Sequence, residues 1–327
     1  MIEHALLVAN ALQTAWAIDP PYLSTLANVL VRAATGHAAP AAALNEASEA
    51  RAARDARRTD GQKIAGGVAV IPIYGVITQR ATLFSEVSGM ASCQQISAAI
   101  AEALAEPSVD TIVLDIDSPG GSVSGIQELA DEIQAASAKK PIVAIANSLA
   151  ASAAYWLGSQ ASEFYCTPSG MTGSIGVYSL HEDWSKAMEA EGIKVTLVSA
   201  GKFKTEGNPY GPINPEARAH MQSTIDGYYG AFTRQVARGR GVPVSDVRNG
   251  MGQGRCLLAA DAKSANMIDG IRTFAETIAG ARRRPTSGSD QLRRARASAV
   301  ARQRETELRA LERSVEIARL ERGPLTE

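Results

Sequence analysis

The sequence predicts an α/β fold with a largely parallel sheet, plus an N-terminal helical extension and a C-terminal helical tail. Two observations point to it. Apolar, β-branched runs of strand length alternate with segments whose apolar residues recur at three and four, and strands that read as continuous apolar runs belong to parallel sheets covered on both faces. The charges also divide the chain: residues 281–327 hold twelve Arg against seven Asp and Glu, which leaves 21 basic and 27 acidic residues for 1–280. Three parts are therefore expected: an extension and linker over 1–62, a main domain over 63–280, and a basic linker with a helical tail over 281–327.

Leu6, Leu7, Ala11 and Leu12 suggest a soluble amphipathic helix. That stretch lacks the basic flank of a signal peptide and falls short of the roughly 20 apolar residues that span a bilayer, so no membrane association is expected. An Ala- and Arg-rich linker covers 38–62. Val68 to Ile77 reads as a strand pair broken at Pro72 and Gly75, Ile96 to Ala105 as a helix, and Thr111 to Asp117 as a buried strand. Ile126, Leu129, Ile133 and Ala136 share one helix face. The strand Pro141 to Ala146 follows, then a helix from about Ser152 and strands at Glu163 to Cys166 and Val195 to Ser199. Tyr228, Tyr229 and Phe232 read as the packing face of a helix. Beyond the breaker-rich Arg282 to Ser289, Leu308, Leu311, Val315 and Ala318 recur at helical spacing.

With 45% hydrophobic and 20% charged residues, the 327-residue chain is neither disordered nor a membrane bundle. Cys93, Cys166 and Cys256 are odd in number and show no CxxC, which argues against a disulfide framework or a zinc site and suggests a reducing compartment. The four histidines are scattered. Neither metal nor cofactor is expected. Acids interleave with the arginines of the tail, which argues against a specific nucleic-acid arm.

Asp117-Ser118-Pro119-Gly120-Gly121-Ser122 lies between a predicted strand and a predicted helix. Two glycines there let the backbone turn sharply and present N–H groups at a helix N-terminus, where a phosphate, a carboxylate or an oxyanion would be stabilised. No GK[ST] follows, so it is not a P-loop. Downstream, Ser152 falls in Ala150-Ala151-Ser152-Ala153-Ala154-Tyr155, where a small-residue turn enters a helix. Alone, such a serine reads as an N-cap.

These residues, with Thr172-Gly173-Ser174-Ile175-Gly176-Val177 and Gly201-Lys202-Phe203-Lys204 in the same order, resemble the signal peptide peptidase A (protease IV) family of serine proteases. The resemblance covers about 66 to 278. It implies a Clp protease/crotonase-like fold and a serine–lysine pair: Ser152 as nucleophile, Lys204 as general base, the N–H groups around Gly120, Gly121 and Ala153 as oxyanion hole, and Ser174 orienting the lysine. Gly201 to Tyr210, with its Gly-Asn-Pro-Tyr, is closest to the head-maturation proteases of tailed bacteriophages. Ala153-Ala154 stand where many bacterial members have Gly-Gly.

A lysine works as a base near neutral pH only if it is desolvated or placed near positive charge, so burial of Lys204 among apolar residues is expected. Lys202 is its competitor, and the GxxK spacing favours Lys204. His181 is a weaker candidate for a Clp-type triad, and Asp115 and Asp117 are expected to support the turn. The function expected is that of a Ser–Lys endopeptidase of the host cytoplasm, acting inside the phage procapsid on scaffold, portal and capsid proteins and on itself, as a homo-oligomer. A bacterial signal-peptide-peptidase-like protease, crotonase-type acyl-CoA chemistry and an inert assembly protein are the alternatives.

Overall fold

The computed structural model describes residues 15–23, 67–80 and 90–283. The expected N-terminal helix over Leu6 to Leu12, the 38–62 linker and the tail from 284 onward lie outside the described residues. Within the extension, Trp16–Ile18 forms a strand, β1, rather than a helix.

Strand β2 (Val68–Tyr74) passes unbroken through Pro72, although a break was expected there. It is the edge strand of its sheet and pairs with a single neighbour, Thr111–Ser118, so the missing Pro72 N–H interrupts no second ladder. Two short strands, β3 (Ile77–Thr78) and β4 (Ala91–Ser92), precede α1 (Cys93–Ala105), whose first turn is capped by the Ser92 hydroxyl accepting the Gln95 N–H. Then come β5 (Thr111–Ser118), β6 (Gly120–Ser122), α2 (Ile126–Ser137), β7 (Ile142–Ala151), α3 (Ala153–Gly158), β8 (Glu163–Cys166) and β9 (Met171–Gly173). The C-terminal part holds α4 (Ser185–Ala190), α5 (Pro215–Arg240), α6 (Val244–Gly250), β10 (Cys256–Leu258), α7 (Ala259–Ser264), β11 (Gly270–Ile271) and α8 (Phe274–Arg282).

The main sheet has the path β10-β9-β7-β5-β2, with β8 also on β7 and β11 on β8. All its ladders are parallel except β9 with β10. Both faces are covered, which is why β5 and β7 read as continuous apolar runs. Ile112, Leu114, Ile116, Ala144 and Ala146 join the large core with α1, α2 and α3. Val113, Val143 and Ile145 pack instead with Ile278 and Ala281 of α8. The face predicted for α2 is the buried one: Ile126, Leu129, Ile133 and Ala136.

One strand sets the position of everything functional. The first half of β7 pairs with β8 through Val143 to Ala146, and its second half pairs with β9 through Leu149 to Ala151. The end of β7 therefore runs on past β8 and delivers the residue after Ala151 beside β9. A second sheet, β1-β6-β3-β4, lies next to that end. The strand expected at Val195 to Ser199 is not formed. Residues 194–199 have no regular structure and pair with no described strand, and Val195, Leu197 and Val198 are exposed.

Candidate active site

Ser152 sits between β7 and α3 with φ 54° and ψ −118°, a backbone geometry that costs an L-residue on the order of 1–3 kcal/mol and persists only where its surroundings enforce it. Both sides do enforce it. Its N–H donates to the Gly173 carbonyl at 2.7 Å, and its carbonyl accepts the Trp156 N–H at 2.9 Å. Trp156 is itself clamped, its ring stacked on Phe232 of α5 at 4.3 Å and its Nε1 donating to Gln235. Ala150, Ala151, Ala153 and Ala154 are fully buried around the serine, so this stretch has no room for larger side chains. The Ser152 hydroxyl faces the Gly176 carbonyl at 3.4 Å. No side-chain capping bond is made, so Ser152 is not the ordinary N-cap its position suggested.

The Gly120-Gly121 turn comes to the same place. A Cβ on Gly120 (φ +98°) would lie 3.0 Å from the Ala153 nitrogen and 3.0 Å from the Ala151 oxygen, so only glycine lets this backbone abut the serine turn. Gly121 is more crowded still, with a Cβ falling 1.8 Å from the Ile77 oxygen. The structure corrects the expectation that these N–H groups open a helix. They lie in β6, and α2 begins only at Ile126, because β6 is held between β1 and β3. Gly120 donates its N–H to the Ser118 hydroxyl at 3.2 Å, and that hydroxyl donates to the Gly75 carbonyl at 2.6 Å. Ala153, as the first residue of α3, carries an N–H without an intrahelical acceptor.

Of the remaining candidates, Ser174 is buried at φ 52°, next to the Gly173 carbonyl that holds Ser152, and donates its N–H to Arg255. Lys204 is different. It is exposed in the turn Gly201–Gly207, and among the described residues its ammonium bonds neither Ser152 nor Ser174. The expected apolar burial is not provided within one chain. Lys202 is engaged with Glu216 at 3.0 Å and lies over Phe203. Beyond Lys204, Glu206 and Gly207 line a cleft of about 260 Å³ with Ala15, Ser179 and Leu180. The two ring nitrogens of His181 find no hydrogen-bond partner among the described residues, so no triad is assembled with Ser152. Asp115 is buried beneath the Tyr74 hydroxyl, which donates to it; burial pushes its carboxyl upward, against the hydrogen bonds of Tyr74 and Asn147. The three thiols are free, and burial raises them to about 12 for Cys93 and Cys256 and about 11 for Cys166, which makes them poor nucleophiles.

A strained serine at a strand-to-helix turn, abutted by a two-glycine strand, is the arrangement that comparison must account for. Residues 134–285 match Peptidase family S49. The recognition made on the motifs is thereby borne out, and the S49 stretch contains Ser152, Ser174 and Lys204 while beginning after Gly120-Gly121. The chain is 35% identical over 191 residues to the capsid assembly protease C of Escherichia phage lambda, covering 58% of this chain and 44% of that protein. It is 34% identical to the head-tail preconnector protein GP5 of Enterobacteria phage P21, over 57% and 37% respectively, and 30% identical to protease 4 of Salmonella typhi, over 66% and 34%. The alignments thus span less than half the length of each of these relatives. No helix among the described residues is long and apolar enough to cross a membrane.

Sequence reasoning missed one neighbour of this site, the strand β1 beside Gly120 and Gly121. Its signal was present in Trp16-Ala17-Ile18, three apolar residues ended by Asp19-Pro20-Pro21.

Proposed function

We propose that the chain is a serine endopeptidase of Clp/crotonase-like fold in which Ser152 is the nucleophile and Lys204 the general base. The observation that carries this reading is the enforced backbone of Ser152, buried against Gly120 and Ala153 within an S49 stretch. Attack by the Ser152 oxygen on a peptide carbonyl would pass its proton to a neutral Lys204. The Ala153 N–H would receive the oxyanion, with that of Gly121 rather than Gly120, whose N–H is held by the Ser118 hydroxyl, and the lysine would return the proton to the leaving amine. Because Lys204 is exposed in the single chain, the reading requires substrate or a neighbouring copy to cover it. That requirement fits a homo-oligomer, with Ser174 orienting the covered ammonium. The phage relatives favour a task in capsid assembly; the host cytoplasm as its place and scaffold, portal or capsid proteins as its substrates are part of this proposal. Protease 4 keeps a signal-peptide-peptidase-like role as the second reading.

The test is labelling of the full chain with a fluorophosphonate, together with hydrolysis of a peptide library. Ser152→Ala should abolish both and Lys204→Ala should nearly do so, whereas Lys202→Ala and His181→Ala should retain most activity. The two dyad losses should not add, because the pair acts as a unit. Labelling that survives Ser152→Ala would end the assignment of the nucleophile, and an inactive His181→Ala beside an active Lys204→Ala would replace the dyad by a triad.

A further inference from the structure

The strand β1 lies between β6 and the segment Gly176 to Tyr178. On one edge it runs antiparallel to β6, with Trp16 opposite Ser122, Ala17 opposite Gly121 and Ile18 opposite Gly120. The bonds Val123 N–H to the Ala15 carbonyl (3.2 Å) and Asp19 N–H to the Pro119 carbonyl (2.8 Å) extend that ladder at both ends. The alternation of an antiparallel ladder then makes Ala17 and Gly121 its hydrogen-bonded pair, so the Gly121 N–H is taken by the Ala17 carbonyl. On the other edge, Trp16 and Tyr178 exchange both backbone bonds at 2.9 and 3.0 Å. Continuing this antiparallel register by two residues sets Ile18 opposite Gly176, whose carbonyl faces the Ser152 hydroxyl.

A three-residue strand is thus bonded along one edge to the two-glycine strand and, through Trp16, to Tyr178 on the other, beside the segment touched by the serine. This is the way a protein receives an extended peptide: main-chain bonds hold the backbone, and pockets take alternate side chains. Trp16 and Ile18 use such places, packing with Leu23, Val76 and Tyr178 in a small cluster separate from the main core. Withdrawal of β1 would disrupt that cluster and the contact of Ala17, leaving the central sheet intact.

We propose that Ala15 to Asp19 is an intramolecular stand-in for substrate, which keeps the cleft between β6 and Gly176 to Tyr178 closed until the segment leaves or is exchanged for another extended peptide. With Ser152 as nucleophile, the chain as folded is latent. The cleft accepts an extended segment with bulky apolar side chains at alternate positions, as in Trp16 and Ile18, and a small residue between them, as in Ala17.

Two full-length variants move the strand in opposite directions. Trp16→Ala/Ile18→Ala loosens it by emptying the small cluster. Ala15→Cys/Val123→Cys places a reducible lock across opposed, hydrogen-bonded residues, so its fold can be checked in both redox states. The probes are the fluorophosphonate, with the modified residue located by mass spectrometry, and a fluorescent peptide of sequence 13–21, whose binding is measured in the Ser152→Ala background. Loosening should raise both the labelling rate and the peptide affinity about tenfold or more, as expected when a minor open population becomes a major one. Oxidising the lock should suppress both, and reduction should restore them. Equal peptide binding to parent and loosened chains, or none to the loosened one, overturns the proposal whether or not Ser152 is labelled. If the loosened variant does not fold, peptide binding that is indifferent to the oxidation of the lock overturns it equally. Gain of peptide binding with no labelling of any chain keeps the stand-in and removes the nucleophile.

Discussion

Replacing Phe232 by alanine tests whether α5 holds the serine turn in place. The two rings of Phe232 and Trp156 are fully buried and stacked at 4.3 Å with 7° between their planes. Truncating such a phenylalanine costs about 3–5 kcal/mol from lost burial and the cavity left behind, and loss of the stacking contact is included in that range. With a urea dependence of about 2–3 kcal/mol/M for a domain of this size, the unfolding midpoint should fall by about 1–2.5 M. Trp156 lies one helical turn after Ser152 and donates to its carbonyl, so the same change frees the turn that enforces the serine's backbone. Urea unfolding followed by far-ultraviolet circular dichroism gives the stability. Fluorophosphonate labelling under native conditions, corrected for the unfolded fraction, gives the serine's state. Phe232→Leu should lose less than Phe232→Ala on both measures. A midpoint shift below about 0.3 M, or unchanged corrected labelling despite the full stability loss, would refute the view that this stack positions Ser152.

Gly121→Ala would drive a Cβ into the carbonyl of Ile77, a backbone group that cannot swing away. A cost of about 3 kcal/mol or more should appear as a fall of several degrees in thermal unfolding, and a melting temperature within about 1 °C of the parent would contradict the packing. For Asp115, burial raises the carboxyl above its unfolded value, so its contribution to stability is full below the unfolded pKa and is lost as pH rises through the folded one. Asp115→Asn should therefore be more stable than the parent near about pH 7, with the gain shrinking toward about pH 4; urea titrations across that window check it. Burial also acts upward on Asp269, but the Arg240 hydrogen bonds and charge and the Phe164 N–H outweigh it and hold the carboxyl below its usual value. Its stabilisation is present above the unfolded pKa and is lost as pH falls through the folded one. Arg240→Met should cost about 2 kcal/mol near neutral pH, a figure reduced because Asp269 is partly solvated, and the difference should narrow in acid.

The elements legible in the sequence are those whose signal is local. Strands β5 and β7 declared themselves as β-branched runs because both faces are buried, and α2 did so through one apolar stripe. The two glycines are legible because close backbone approach at a turn is a local demand, whereas Ser152 alone reads as an N-cap and is singled out only by the resemblance of the whole motif set. What the tertiary structure decided depends on partners distant in the chain. Pro72 is tolerated because β2 lies at an edge, a fact about strand order. Gly120-Gly121 enters a strand rather than a helix because β1 and β3 flank it from residues 16–18 and 77–78. Val195 to Ser199 has the composition of a strand but pairs with none of those described, and Lys204 beyond it is exposed. A hydrogen-bond ladder needs two strands, and no single segment records where its partner lies.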